Sequence, residues 1–353
     1  MKGAPLDTLL KADALPFECE TITAVLRYPS GERIDRLIER RIDPITGRAC
    51  RITYSRSGEE EPGTCELPAP PPAADATADC PFCPPQVTRR TPRLIPELSR
   101  ADRMRRSASL LFPNMFPYGA YSAVSLFDDR HFVEIGTASP ERYAVSFINC
   151  SDYLGRVLAH DPDAVFQAIT QNHLPSAGGS LVHPHLQIQA DRYPANHHRF
   201  LRNRATAYHD ATGRFIFSDY LDHERRDGSR YIGRTGDWEW TAAYAPEGFY
   251  EIWAILPGIF SIRRAGEARW ADLARGVLNT QRFYRHLCRN GYNLGVLSVE
   301  TDESRLELCL RIVVRSNYTV WARNDHSGFE VMLGDMATFN APEETAALAR
   351  PFW

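Results

Sequence analysis

The stretch Ser180-Leu181-Val182-His183-Pro184-His185-Leu186-Gln187-Ile188-Gln189, behind a Gly178-Gly179 turn, constrains this chain more than any other. An extended strand points every second side chain the same way. His183, His185, Gln187 and Gln189 then share one face, and Val182, Leu186 and Ile188 line the other. Two imidazoles and an amide converging at one spot suit work on a phosphoryl group. One nitrogen can attack, one can hold a metal, and the amide can stabilise non-bridging oxygens. A His-x-His standing alone on a strand is usually surface or core decoration, so other segments must support the assignment.

The 353 residues are enough for one large domain or two smaller ones. A 43% hydrophobic and 24% charged composition is ordinary for a soluble globular protein. The net charge of -3 argues against nucleic acid or a membrane surface as a partner. No apolar run approaches the roughly 20 residues of a membrane helix. The first ten residues hold no signal-peptide core, so cytoplasmic residence is expected. Of eight cysteines only Cys80 and Cys83 are close together. That spacing suits a reducing compartment and one metal-binding pair better than a disulfide framework.

Along the chain, residues 1–38 read as an N-terminal extension with one strand, Thr21 to Tyr28. A turn at Asp43-Pro44-Ile45-Thr46-Gly47 leads to a strand from Ala49 to Tyr54. Residues 57–79, rich in Glu, Pro and Ala, read as a mobile loop. Ser109 to Phe116 and Tyr121 to Phe127 read as strands, and Asp163 to Asn172 as a helix. After residue 195 the pattern restarts. Tyr208 to Phe217, Trp238 to Ala245 and Phe249 to Leu256 read as strands. A helix over Gly266 to Asn290 is followed by strands from Gly295 to Ser298 and Leu306 to Val314. Each half runs strands, helix, strand, which suggests a duplicated α+β unit with halves at 39–195 and 196–353. The tryptophans Trp238, Trp240, Trp253 and Trp270 are expected in the core or at a subunit interface.

Cys80-Pro81-Phe82-Cys83 supports three readings: half a zinc site, a redox pair, or two ordinary cysteines. Redox use expects a helix start after a strand, and Pro84-Pro85 oppose a regular helix. Zinc needs two more ligands, for which His183 and His131 are the best candidates.

Taken together these residues resemble the galactose-1-phosphate uridylyltransferase family of the histidine-triad superfamily, over roughly residues 38–350. Arg40-Arg41-Ile42-Asp43-Pro44-Ile45-Thr46-Gly47 is similar to that family's R-x-N-P-L-T-G segment. Cys80-Pro81-Phe82-Cys83 is similar to its C-x-x-C, and His183-Pro184-His185-Leu186-Gln187 to its H-P-H-G-Q. Gly328-Phe329-Glu330-Val331-Met332-Leu333 is similar to its G-Y-E-M-L. Each motif alone is weak, and their shared order is specific.

The resemblance implies an α+β fold of two tandem histidine-triad-like halves, each an antiparallel sheet with packed helices. It implies a nucleotidyltransferase acting on a nucleoside diphosphate-sugar or related nucleotide, with a phosphate ester as acceptor. His185 would be the nucleophile, forming a covalent nucleotidyl-histidine. Structural Zn2+ would sit on Cys80, Cys83, His131 and His183. Gln187, Ser180, Asn172 and the adjoining Gly179 would hold phosphate oxygens. Asn114 would contact the nucleotide, Arg56 a phosphate, and Phe329 with Glu330 the sugar. A homodimer with active sites near the interface is also implied. Leu186, Met115, Phe329 and Met336 depart from the family's usual Gly, Asp, Tyr and Gln. Leu297, Cys309 and Arg311 stand where it has second-metal histidines. The base, the sugar and the acceptor are therefore open. A phosphorylase using inorganic phosphate and a hydrolase using water share the same nucleophile. A zinc-stabilised nucleotide-binding protein without turnover is the competing class.

Overall fold

The computed structural model describes residues 15–53, 66–315 and 328–353. Arg56 and the first part of the expected 57–79 loop lie outside them. The described chain opens with strands β1 (Glu18–Arg27), β2 (Arg33–Ile42) and β3 (Ala49–Thr53). A short helix α1 (Gln86–Arg90) leads to β4 (Met104–Arg106), β5 (Ser109–Pro113) and β6 (Tyr121–Leu126). Helix α2 (Pro140–His160) precedes β7 (Phe166–His173) and β8 (His185–Asp191). Helices α3 (Asn196–Thr212) and α4 (Ile216–Asp227) connect to β9 (Tyr231–Thr235), β10 (Trp238–Ala242) and β11 (Ile252–Leu256). Helix α5 (Gly266–His286), β12 (Gly291–Val299) and β13 (Leu308–Arg315) repeat the earlier pattern. Helix α6 (Gly328–Leu333), β14 (Met336–Thr338) and α7 (Pro342–Ala349) finish the chain.

Ten strands form one antiparallel sheet in the order β4-β5-β6-β8-β7-β12-β13-β11-β10-β9. The order within the first half, 4-5-6-8-7, recurs in the second as 9-10-11-13-12. Each half supplies three strands, a helix of 21 residues, then two strands. The duplicated α+β architecture is therefore present, with one difference. The two half-sheets join through β7 and β12, where Tyr292 pairs with His173 and Asn293 with Asn172. Both long helices cover the same face. Phe147 of α2 stacks on Trp270 of α5, and Trp238, Trp240, Tyr284 and Tyr292 complete that core. On the other face α3 and α4 pack a second core around Phe217, Tyr220 and Trp253. All four tryptophans are core residues. A smaller sheet, β1-β2-β3-β14, stands apart. The boundary expected at residue 38 falls inside β2, which runs unbroken into the turn at Asp43.

Two elements differ from their expected type. The helix expected over Asp163 to Asn172 is the strand β7. Its inward positions alternate Gln167, Ile169, Gln171 and His173, so buried polar residues conceal the period of two. Both amides find partners in the core, although Gln167 Oε1 has none among the described residues. Gln167 Nε2 donates to the Leu154 carbonyl (3.3 Å), and Tyr292 donates to Gln171 Oε1 (3.1 Å). The true helix, α2, lies upstream, burying Tyr143, Phe147, Cys150, Leu154 and Val157 at helical spacing behind a first-turn proline. The strand expected over Tyr208 to Phe217 is the junction of two helices. Gly213 adopts φ 70° and ends α3 there. Cys288 is disulfide-bonded, which the expectation of a reducing compartment did not anticipate. Among the described residues no helix is long and apolar enough to cross a membrane.

Candidate active site

The site is assembled where β8 emerges from the loop that follows β7. Leu126 pairs with His185, and Val124 and Thr170 flank Gln187 from either side. Leu186 and Ile188 enter the helix-covered core, leaving His185, Gln187 and Gln189 on the opposite face. His183 lies just before the strand, which frees its ring to turn towards the C-x-x-C.

There Cys80, Cys83, His131 and His183 present ligand atoms within 4.8 Å of one another, and all four residues are buried. Cys83 Sγ lies 3.2 Å from His131 Nδ1 and 3.5 Å from His183 Nδ1, and Cys80 Sγ lies 4.0 Å from His183 Nδ1. A tetrahedral zinc with Zn–S of about 2.3 Å and Zn–N of about 2.0 Å implies edges of roughly 3.3–3.8 Å. The outer hydrogen bonds agree. His131 Nε2 donates to the Ala73 carbonyl (2.8 Å) and His183 Nε2 to the Asp128 carbonyl (3.1 Å). Each ring therefore turns its Nδ1 lone pair inward. Asp128 is itself gripped by Arg130 and Arg142. With protein groups alone, burial and the neighbouring Cys80 push the Cys83 thiol up to about 12. A bound cation reverses that tendency, so the donor set fits a divalent metal.

The two histidines of the motif play different parts. His185 Nδ1 donates to the His183 carbonyl at 2.7 Å, which leaves the Nε2 lone pair open. Burial lowers the His185 pKa and keeps the ring neutral. Phe82, between the two cysteines, packs edge-on against both rings, at centroid distances of 6.0 Å to His183 and 5.2 Å to His185. Metal cluster and candidate nucleophile are thus one packed unit. Phe82 escaped the sequence reading because an aromatic within C-x-x-C carries no signal of what it touches.

Asn172 lies on β7, on the face of Thr170 and Gln187 and at the level of His185. The loop between the strands bends back at Gly178, φ 82°. Gly179 sits so close that a Cβ there would lie 2.9 Å from the Leu174 carbonyl and 3.0 Å from that of Asn172. Ser180 follows, exposed. His185, Gln187, Asn172, Gly179 and Ser180 are therefore gathered at one end of β8. Asn114 is not among them. It caps the β5–β6 hairpin, opposite Ser122, with its Oδ1 accepting from Phe116 N (3.0 Å). Ser122 pairs with Gln189, four residues, or roughly 13 Å, along β8 from His185. Phe329 and Glu330 lie on α6 beside the small sheet, Phe329 under the Arg51 guanidinium (5.8 Å).

The corresponding strand of the second half, β13, offers Cys309 and Arg311. Arg311 Nε donates to Glu251 (2.7 Å) and Nη2 to Glu247 (2.9 Å). Burial raises the Cys309 pKa far above the ordinary thiol range.

No family model matches the chain. An uncharacterized protein of Archaeoglobus fulgidus is 25% identical over 325 residues, 92% of this chain and 94% of that protein. An ADP-glucose phosphorylase of Arabidopsis thaliana, solved with bound ADP-glucose, is similar in structure with a TM-score of 0.68 and 18% identity, covering 89% of this chain and 98% of that one. A GalT-like protein of Arabidopsis thaliana gives a TM-score of 0.67 and 18% identity over 88% and 98%. A uridylyltransferase gives 0.65 and 17% over 89% and 97%. The expected likeness to the galactose-1-phosphate uridylyltransferase group is thus present in the fold.

Proposed function

We propose that this chain, which has the fold of the GalT-like proteins, is a nucleotidyltransferase that uses His185 as a covalent nucleophile on a nucleoside diphosphate-sugar. The observation that carries this reading is the hydrogen bond from His185 Nδ1 to the His183 carbonyl. It fixes the tautomer and aims an unprotonated Nε2 at the open face of the sheet.

Nε2 attacks the α-phosphorus and forms an N–P bond. The bond from that phosphorus to the bridging oxygen breaks, and the sugar 1-phosphate leaves with the electron pair. An acceptor oxygen then attacks the same phosphorus, and the N–P electron pair returns to Nε2. The proton stays on Nδ1 throughout, donated to the His183 carbonyl, which offsets the charge the ring gains. Gln187, Asn172 and Ser180 supply donors to the non-bridging oxygens, each worth about 10²–10³ in rate. Asn114, farther along the face, suits the nucleoside end. Zinc on Cys80, Cys83, His131 and His183 holds the turn into β8, and through Phe82 the orientation of His185. The protein acts as a homodimer in this reading, which gives Phe329 and Glu330 a route to a neighbouring active site.

Incubating the protein with UDP-, ADP-, GDP- and CDP-sugars should produce one nucleotidyl adduct by intact mass. A chase with sugar 1-phosphate, phosphate or water then identifies the acceptor. His185→Ala should form no adduct. Absence of adduct and turnover across the panel would sink the reading and leave a nucleotide-binding protein.

A further inference from the structure

Asn293 belongs to the second half but reaches into the phosphate site of the first. It lies on β12, paired in register with Asn172 across the seam of the sheet. Its Oδ1 accepts from Arg315 Nη1 at 2.7 Å. Its Nδ2 donates to Asn172 Oδ1 at 2.7 Å and to the Ala177 carbonyl at 2.8 Å. The chemistry of the neighbours fixes this orientation. A guanidinium can only donate and a backbone carbonyl can only accept. Asn293 must therefore turn its oxygen to Arg315 and its nitrogen to Ala177. Asn172 must in turn direct its oxygen at Asn293. Its Nδ2 is left facing the side of the sheet that carries His185 and Gln187.

We propose that Asn293, held by Arg315, is a positioning residue. It sets the Asn172 amide as a donor to a non-bridging phosphate oxygen and pins the Leu174–Ser180 loop through Ala177. The inference rests on the nucleotidyl-transfer reading for its substrate and deepens it. The second half then contributes to catalysis at the site of the first. Neither Asn293 nor Arg315 touches the substrate in this account, and both act through Asn172 and the loop. Sequence reading had no route to them. The link spans 121 residues and consists of an asparagine within an otherwise ordinary strand.

Asn293→Asp tests the proposal, because it preserves shape and the acceptor for Arg315 while removing both donated hydrogen bonds. The Asn172 amide is then free to turn and donate to the new carboxylate, withdrawing from the phosphate. Adduct formation at His185 should slow about 10²-fold, as expected for one preorganised donor. Asn172→Ala should slow it comparably. The double variant should be no more than a few-fold slower than Asn172→Ala alone, since the two act as one unit. A merely structural role for Asn293 would make the losses multiply. Multiplied losses, or a wild-type rate in Asn293→Asp, would overturn the proposal. Hydrogen exchange in the unliganded protein gives a readout independent of the reaction. The amides of Ala177 to Gly179 should exchange at least 10-fold faster in Asn293→Asp, and unchanged protection there would also overturn it. If the wild-type protein forms no adduct with any nucleotide, the functional reading fails, while the exchange result still decides whether Asn293 clamps the loop.

Discussion

In the proposed mechanism the nucleophilicity of His185 depends on what its other nitrogen does, and Nδ1 is held two residues away by the His183 carbonyl. Spacing made this legible: His-x-His on a strand places two rings in sequence-local reach of one another. The backbone carbonyl that fixes the tautomer was not legible, because every residue carries one and only geometry selects it. The same holds for Gly179. In the sequence it reads as half of a glycine turn, whereas in the fold its missing Cβ admits two backbone carbonyls. Gly179→Ala should therefore displace the loop instead of rigidifying it. We expect a stability loss of about 1–3 kcal/mol. A loop shift approaching 1 Å should slow adduct formation up to about 10²-fold. Thermal melting and stopped-flow quench kinetics check both, and wild-type kinetics in the variant would contradict the close approach.

At the level of elements, the C-x-x-C turn and the start of β8 are separate in sequence and joined by the four-ligand cluster. Cys83→Ser should abolish a stoichiometry of about one zinc per chain, measured by plasma mass spectrometry. It should lower stability by several kcal/mol, since metal binding is coupled to folding. Hydrogen-exchange protection should be lost around residues 80–90 and 183–186 before the rest of the sheet. An unchanged metal content would remove the metal assignment. The four ligands were legible as candidates because Cys and His in this spacing are chemically distinctive. Secondary structure was less so. Strand β7 read as a helix because Gln167 and Gln171 are buried polar residues, whose core partners come from α2 and β12. Helix α2, with a clear apolar stripe from Tyr143 to Val157, was readable, but the sequence analysis placed its helix one segment later, over Asp163 to Asn172.

For the whole molecule, the duplicated pattern gives a continuous ten-stranded sheet, with His185 on β8 of the first half and Cys309 and Arg311 on the corresponding β13 of the second. The repeat was visible in the order of elements, whereas the joining of the halves through β7 and β12 was not, since strand pairing is a long-range choice. Charges far from the site tie the small sheet to the large one. Glu343 on α7 bridges Arg41 of β2 (2.8 Å) and Arg230 (2.9 Å), and Arg230 also pairs with buried Glu224 at 3.0 Å. Burial raises the Glu224 pKa to about 7 from an ordinary 4.5. Between those values the folded state holds a proton that the unfolded state has released, so stability falls as pH rises through that window. The loss is about 3 kcal/mol at most, by the energy equivalent of the pKa shift. Denaturant titrations at pH 5 and pH 8 should show this decline in the wild type and a shallower one in Glu224→Gln. Equal slopes would contradict the role given to Glu224. In the proposed reaction a nucleotidyl group rides on one nitrogen of one histidine. Acid-labile adduct isolated after brief exposure to a nucleotide-sugar, mapped by peptide mass spectrometry and phosphorus NMR, tests it most directly. The account predicts a phosphoramidate on His185 Nε2, whereas an adduct on any other residue, or turnover with none, would contradict it.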